Sequence, residues 1–275
     1  MRFAFFGSPV FAQYVLEQLI EGGLVPSVLV CSPDALVGRK QELSAPATKH
    51  FLIEKKIDTL ILQPPTKKDL ASHMRAFEGC DIAVVAAYAK IIPDEILAVF
   101  AGGVIGVHPS LLPRYRGASP IQAALLAGDK TTGVSLYKVD AQVDHGPIVA
   151  QKECAIENGD MYESLEKRLA ILGGGLLVEK LPSFVGGKCD LRSQDEALAT
   201  FTKKFETADG EVNLATDNAD HIANVIRALN PNPGVFTFIN GKRTKLLRVE
   251  KEDGRWVIAS ILPEGKKVQS AHIIL

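Results

Sequence analysis

The sequence predicts an α/β fold: a doubly wound, mostly parallel sheet followed by a small C-terminal β domain. Three observations carry this. Short apolar runs rich in β-branched residues alternate with segments of helical spacing through the first two thirds of the chain. After residue 230, apolar and polar residues alternate around an Asn240-Gly241 pair, the strongest short-range hairpin signal. The 275 residues are 47% apolar, enough for one large core and a small one.

Taken in order, residues 2–6 are a buried strand closed by the Gly7-Ser8-Pro9 turn, which argues against a signal peptide. Residues 11–19 have helical spacing (Phe11, Val15, Leu16, Leu19) and end at Gly22-Gly23. Strands are expected at 28–31, 59–62, 82–86 and 104–107, with helices at 47–56, 68–77 and 94–100 between them. Two further strands, 133–139 and 148–150, flank a loop at 140–146. Residues 162–172 form an amphipathic helix with Leu165, Leu169 and Leu172 on one face. Gly173-Gly174-Gly175 follows a helix and lacks a Lys-Ser/Thr partner, so it reads as a helix break or a close packing contact, not a phosphate loop. The polar stretch 193–210 is a linker between a domain at 1–192 and a second at 211–275. The second opens with a helix at 217–229, stopped by Asn230-Pro231-Asn232-Pro233-Gly234. Strands at 235–239, 245–249 and 256–261 follow, the last two separated by Asp253-Gly254, and together suggest a reduced OB-like barrel.

Composition excludes several function classes. A net charge of −1 gives no global field for nucleic acid, so any RNA contact must come from local basic clusters. The four cysteines (Cys31, Cys80, Cys154, Cys189) show no CxxC spacing, and no metal cluster is expected. Cys31 and Cys80 adjoin apolar runs and read as buried free thiols. No apolar run approaches the roughly 18 residues of a membrane span. The expectation is a soluble, cytoplasmic, monomeric protein.

The chemistry concentrates in Val107-His108-Pro109-Ser110-Leu111-Leu112-Pro113-Arg114-Tyr115-Arg116-Gly117 and in Asp144-His145-Gly146. His108 sits where a buried strand ends and a proline-bounded turn begins, the place where α/β sheets carry function. An imidazole with an ordinary pKa near 6.5 exchanges protons at neutral pH. A lone histidine at a strand end is more often structural, and a loop aspartate is usually just solvated. As a pair, Asp144 would orient the ring and stabilise its protonated form. The 36 residues between them make proximity a matter of the fold.

These motifs have company. Met1-Arg2-Phe3-Ala4-Phe5-Phe6-Gly7-Ser8-Pro9-Val10-Phe11-Ala12, Gly38-Arg39-Lys40 with Ser44-Ala45-Pro46-Ala47-Thr48-Lys49, and Ala87-Tyr88-Ala89-Lys90-Ile91-Ile92-Pro93 precede them. Gly128-Asp129, Thr132-Gly133-Val134, Asp209-Gly210-Glu211, Arg227-Ala228-Leu229-Asn230-Pro231 and Pro263-Glu264-Gly265-Lys266-Lys267 accompany or follow them. In that order, across essentially the whole chain, they resemble the methionyl-tRNA formyltransferases of the folate-dependent formyltransferase family.

The resemblance implies direct transfer of a formyl group from 10-formyltetrahydrofolate to the α-amine of methionine on initiator tRNA, in translation initiation. It makes His108 the proton-transfer residue and Asp144 its support. Ser110, Leu111, Leu112 and Pro113 would line the folate site, with Tyr88 and Ile92 on another wall. Arg39 and Lys40 would reach the tRNA acceptor end. Lys242 and Arg243 on the C-terminal hairpin would contact tRNA phosphates, although lysines guarding a strand edge explain them nearly as well. Two departures stand out. Gly106 occupies the position where the family carries asparagine, a donor to the developing oxyanion. Loss of such a donor costs roughly 100–1000-fold in rate unless another group replaces it. The C-terminal domain also looks short. Two other readings are therefore kept: a formyltransferase acting on a nucleotide-linked amino sugar, and a catalytically impaired folate- or tRNA-binding homologue.

Overall fold

A computed structural model describes every residue of the chain except Arg39 and Lys40. Its strands and helices are, in order, β1 (Phe3–Phe6), α1 (Val10–Glu21), β2 (Val28–Val30), β3 (Ala35–Val37), β4 (Glu42–Ser44), α2 (Ala47–Glu54), β5 (Leu60–Leu62), α3 (Lys67–Ser72), β6 (Ile82–Ala86), α4 (Asp94–Leu97), β7 (Val104–His108), β8 (Arg116–Gly117), α5 (Pro120–Leu126), β9 (Thr131–Lys138), β10 (Ile148–Ala155), α6 (Tyr162–Val185), β11 (Phe201–Thr202), α7 (Ala219–Leu229), β12 (Val235–Ile239), β13 (Lys242–Glu252), β14 (Arg255–Pro263) and β15 (Gln269–Ile274).

The main sheet has the order β10-β9-β7-β6-β1-β2-β5. Pairings from β5 through β2, β1 and β6 to β7 are all parallel, and β9 returns antiparallel to β7. Strands β1, β2, β6 and β7 are short and apolar because both faces are covered, so their hydrophobic pattern is continuous where an exposed sheet would alternate. Phe6, Phe77, Phe100 and Leu70 fill the core beside β1 and β6. The chain builds β1, β2 and β5 in one direction and then crosses to β6 and β7 on the other side of β1. Ligand sites of such sheets lie beyond the carboxyl ends of the strands.

By compactness the chain forms two units, interleaved in sequence. One comprises Met1–Pro113, Gly133–Lys152 and Lys167–Ala199; the other Arg114–Thr132, Glu153–Glu166 and Thr200–Leu275. Residues 193–210, expected as a linker, carry hydrogen-bonded structure. Glu196–Leu198 and Thr207–Gly210 are 3-10 turns, and β11 pairs in parallel with β8.

The triple glycine does not break its helix. α6 runs on from Tyr162 to Val185, with Pro182 inside it. A Cβ at Gly173 would lie 2.8 Å from a Val107 methyl, and one at Gly174 3.1 Å from the Val15 carbonyl oxygen. Close packing, not termination, is what Gly173 and Gly174 serve. The 68–77 helix is shorter than expected: α3 ends at Ser72 and a 3-10 turn covers Met74–Phe77.

In the second unit β12, β13, β14 and β15 form an antiparallel sheet in that order. The Asn240-Gly241 turn joins β12 to β13 as expected, with both residues at positive φ. α7 buries Ile222, Val225, Ile226 and Leu229 against this sheet and against α5. Arg227 on the same helix is also buried. It donates to the backbone carbonyls of Asp160 (2.7 Å) and Glu157 (2.9 Å), which satisfies a charge removed from water. The fourth strand, β15, was not legible in the sequence.

Candidate active site

Two neighbouring strands build the site. β7 and β9 pair with Gly106 opposite Tyr137 and His108 opposite Ser135. Side chains alternate faces along a strand, so these four positions share one face of the sheet. Val107 and Val134 point the other way, toward Gly173 of α6. The spacing that puts Val107 into the helix contact thus puts His108 at the site.

His108 is 6% exposed, and its Nδ1 lies 3.5 Å from Oδ2 of Asp144. The structure brings together the two residues that the sequence left 36 positions apart. The separation is longer than a strong hydrogen bond, and such contacts tighten when substrate arrives. Tyr137 donates its hydroxyl proton to the other carboxylate oxygen, Oδ1, at 2.7 Å. Burial first, then the charges of Asp144 and Asp140, push the Tyr137 phenol well above its ordinary range, so it remains a donor.

The loop carrying Asp144 is held at several points. Asp144 has a positive φ of 49°, a rare conformation for a non-glycine residue. Gln194 Nε2 donates to the Asp144 carbonyl (2.9 Å) and to the Gly146 carbonyl (2.8 Å). His145 meets Asp140 at 2.7 Å, and its other nitrogen lies 3.6 Å from Glu196. Gly146 passes so close to the Lys138 carbonyl that no side chain fits there.

The Ser110-Leu111-Leu112-Pro113 turn is anchored from β9 and β10. Ser135 donates to the Ser110 carbonyl (2.7 Å) and accepts from the Leu112 N–H (2.9 Å) and Gln151 Nε2 (2.8 Å). Gln151 also donates to the Leu112 carbonyl at 2.8 Å. Ser110 and Leu112 are buried, Leu111 and Pro113 half-buried, and the Leu112-Pro113 peptide is cis.

Tyr88 and Ile92, expected on another wall of the folate site, are half-buried. Both pack on the core cluster that includes Phe6. Tyr88 meets the Phe6 ring edge-on at 5.5 Å, and its buried hydroxyl has no hydrogen-bond partner among the described residues. Burial pushes that phenol up to about 12. Ile91, between them, is the side chain the loop turns outward, at 79% exposed. Arg39 and Lys40 lie outside the described residues. Lys242 and Arg243 are exposed on β13, in the second unit, with the Arg243 guanidinium 3.7 Å above the Phe236 ring.

Tyr137, Ser135, Gln151 and Gln194 were missed by the sequence reading. Period two along 133–139 does place Gly133, Ser135 and Tyr137 on one face of an otherwise apolar strand. That signal marks them as a set, but only the register with β7 says what they face.

Comparison with known proteins identifies the family. A family model described as "Formyl transferase" matches residues 1–181, and one described as "Formyl transferase, C-terminal domain" matches residues 204–270. The methionyl-tRNA formyltransferase of Nitrosospira multiformis is 34% identical over 271 residues, covering 96% of this chain and 86% of its own. That of Anaeromyxobacter sp. (strain K) is 39% identical over 249 residues, covering 90% and 78%. Among solved structures, the methionyl-tRNA formyltransferase from Clostridium thermocellum superposes with a TM-score of 0.60 at 16% identity, covering 99% of each chain. This chain belongs to the formyl transferase family, in its N-terminal and its C-terminal parts alike.

Proposed function

We propose that this chain is a methionyl-tRNA formyltransferase: it transfers the formyl group of 10-formyltetrahydrofolate to the amino group of methionine on initiator tRNA, in translation initiation. The observation that carries the chemistry is the His108–Asp144 pair, 3.5 Å apart at the carboxyl end of β7. The identity of 34–39% to methionyl-tRNA formyltransferases over nine tenths of the chain or more supports the choice of acceptor.

Bound 10-formyltetrahydrofolate supplies a formyl carbon activated on nitrogen. The residues present suit such a ligand. The Ser110–Pro113 turn has its polar backbone bonded beneath it by Ser135 and Gln151, and Leu111 and Pro113 offer apolar surface beside an imidazole and a carboxylate. The attacking amine must lose a proton. His108 presents Nδ1 to Asp144, which puts the exchange on Nε2. Asp144 holds the ring and stabilises the imidazolium once formed. Lys242 and Arg243 supply charge for tRNA phosphates. A cytoplasmic monomer completes the reading. No helix among the described residues is long and apolar enough to cross a membrane.

Single-turnover formylation of methionyl initiator tRNA tests this. His108→Ala and Asp144→Asn should each slow transfer by about 100–10,000-fold, the usual worth of proton transfer, while folate affinity stays near that of the parent. Turnover that survives both changes refutes the assignment of the pair. Transfer to a nucleotide-linked amino sugar but not to tRNA would refute the acceptor.

A further inference from the structure

The geometry points to Tyr137 as the positioning residue that completes the His108–Asp144 pair from β9, with Gly106 kept as glycine because the Tyr137 ring fills its side-chain space. This rests on reading that pair as the reacting groups. Gly106 and Tyr137 are directly opposed across β7 and β9. A Cβ on Gly106 would overlap the Tyr137 ring and lie 2.9 Å from its hydroxyl oxygen. The glycine opposite this ring is therefore a steric requirement. The ring in turn delivers its hydroxyl to Asp144 Oδ1 at 2.7 Å, while Oδ2 faces His108.

A carboxylate has two oxygens and a rotatable plane. Fixing Oδ1 with a charge-assisted hydrogen bond fixes where Oδ2 points. Gln194 holds the backbone of Asp144 independently, and Tyr137 holds its carboxylate. Tyr137 is 8% exposed and its burial keeps the phenol protonated, so the donor is present across the working pH range. The two strands have room for one polar group at this point, carried by residue 137 or by residue 106. A side chain at 106 requires the Tyr137 ring to leave its place beside Asp144.

Tyr137→Phe separates hydroxyl from ring. It keeps the packing against Gly106, so the fold is retained. The expected result in methionyl-tRNA formylation is a kcat lower by about 10–100-fold, from loss of one hydrogen bond to a charged group, with KM for tRNA and folate within about twofold. A purely structural role would move the melting temperature or both KM values instead. A second test exchanges the two positions. Gly106→Asn alone should lose activity, and Gly106→Asn with Tyr137→Ala should exceed Tyr137→Ala alone. A Tyr137→Phe kcat within about twofold of the parent, with His108→Ala inactive, overturns the inference and leaves the pair standing. Full activity in His108→Ala removes the pair and the inference together. Gly106→Asn as active as the parent, or a double variant no better than Tyr137→Ala, refutes the shared-space argument.

Discussion

Replacing Ser135 by alanine should loosen the turn at the edge of the site without touching a reacting group. The Ser135 hydroxyl is fully buried and uses its whole capacity, one donor and two acceptor positions. It donates to the Ser110 carbonyl at 2.7 Å and accepts from the Leu112 N–H at 2.9 Å and from Gln151 at 2.8 Å. Alanine removes all three. Gln151 keeps its bond to the Leu112 carbonyl, so part of the anchor survives. The Ser110 carbonyl and the Leu112 N–H each lose a buried hydrogen bond at about 1–3 kcal/mol, which gives about 2–6 kcal/mol for Ser135→Ala. At roughly 2–4 °C per kcal/mol for a chain of this size, the melting temperature should fall by about 4–24 °C. Urea unfolding gives the energy, and steady-state kinetics the consequence for the site. KM for 10-formyltetrahydrofolate should rise more than KM for tRNA, because the Ser110–Pro113 turn is what loses its support. A loss below about 0.5 kcal/mol with unchanged KM values would refute the argument that β9 holds this turn.

The glycines of α6 should answer differently to one substitution. Gly173→Ala places a methyl against Val107 and Val134 and should cost about 1–3 kcal/mol by overpacking. Gly175→Ala meets nothing within 4 Å and should stabilise by about 0.5–1 kcal/mol through helix propensity; denaturant titration of the two decides. Stability should also decline in alkali. Burial raises Cys31 from 9.0 to about 11 and Tyr88 from 10.0 to about 12, and Tyr137 is raised well above 10.0. The folded state then holds protons that the unfolded state has released. The contribution is complete below the unfolded values and is lost as pH rises through the folded ones, by up to ~1.4 kcal/mol per pH unit per group. Unfolding followed from pH 8 to 12 should show this, with a flatter curve for Tyr137→Phe above pH 10. Finally, Lys242→Ala with Arg243→Ala should weaken tRNA binding and reduce the slope of log affinity against log salt by about 1–2, as measured by titration at several salt concentrations.

The sequence determined the alternation of strands and helices and the Asn240-Gly241 hairpin, and it singled out His108 and Asp144 as the candidate reacting pair. These are local properties: apolar period, turn residues, and a titratable group at the end of a buried run. It also marked Gly106 as a position without a side-chain donor. Tertiary structure decided what local pattern cannot carry. The continuation of α6 past Gly173 depends on Val107 and Val134 lying beneath it, so residues that favour a break in isolation became a packing surface. The short strand β11 depends on a partner, β8, more than 80 residues earlier, and a polar stretch gives no sign of such a pairing. Tyr88 and Ile92 pack, half-buried, on Phe6 and its neighbours because the fold brings that apolar surface beside them. Above all, register made Gly106 and Tyr137 a pair. A strand's residues are set by its own sequence, but which residue they face is set by the hydrogen-bond ladder with the next strand. The hydroxyl beside Asp144 is therefore a product of register, and the empty position at 106 is the space its ring needs.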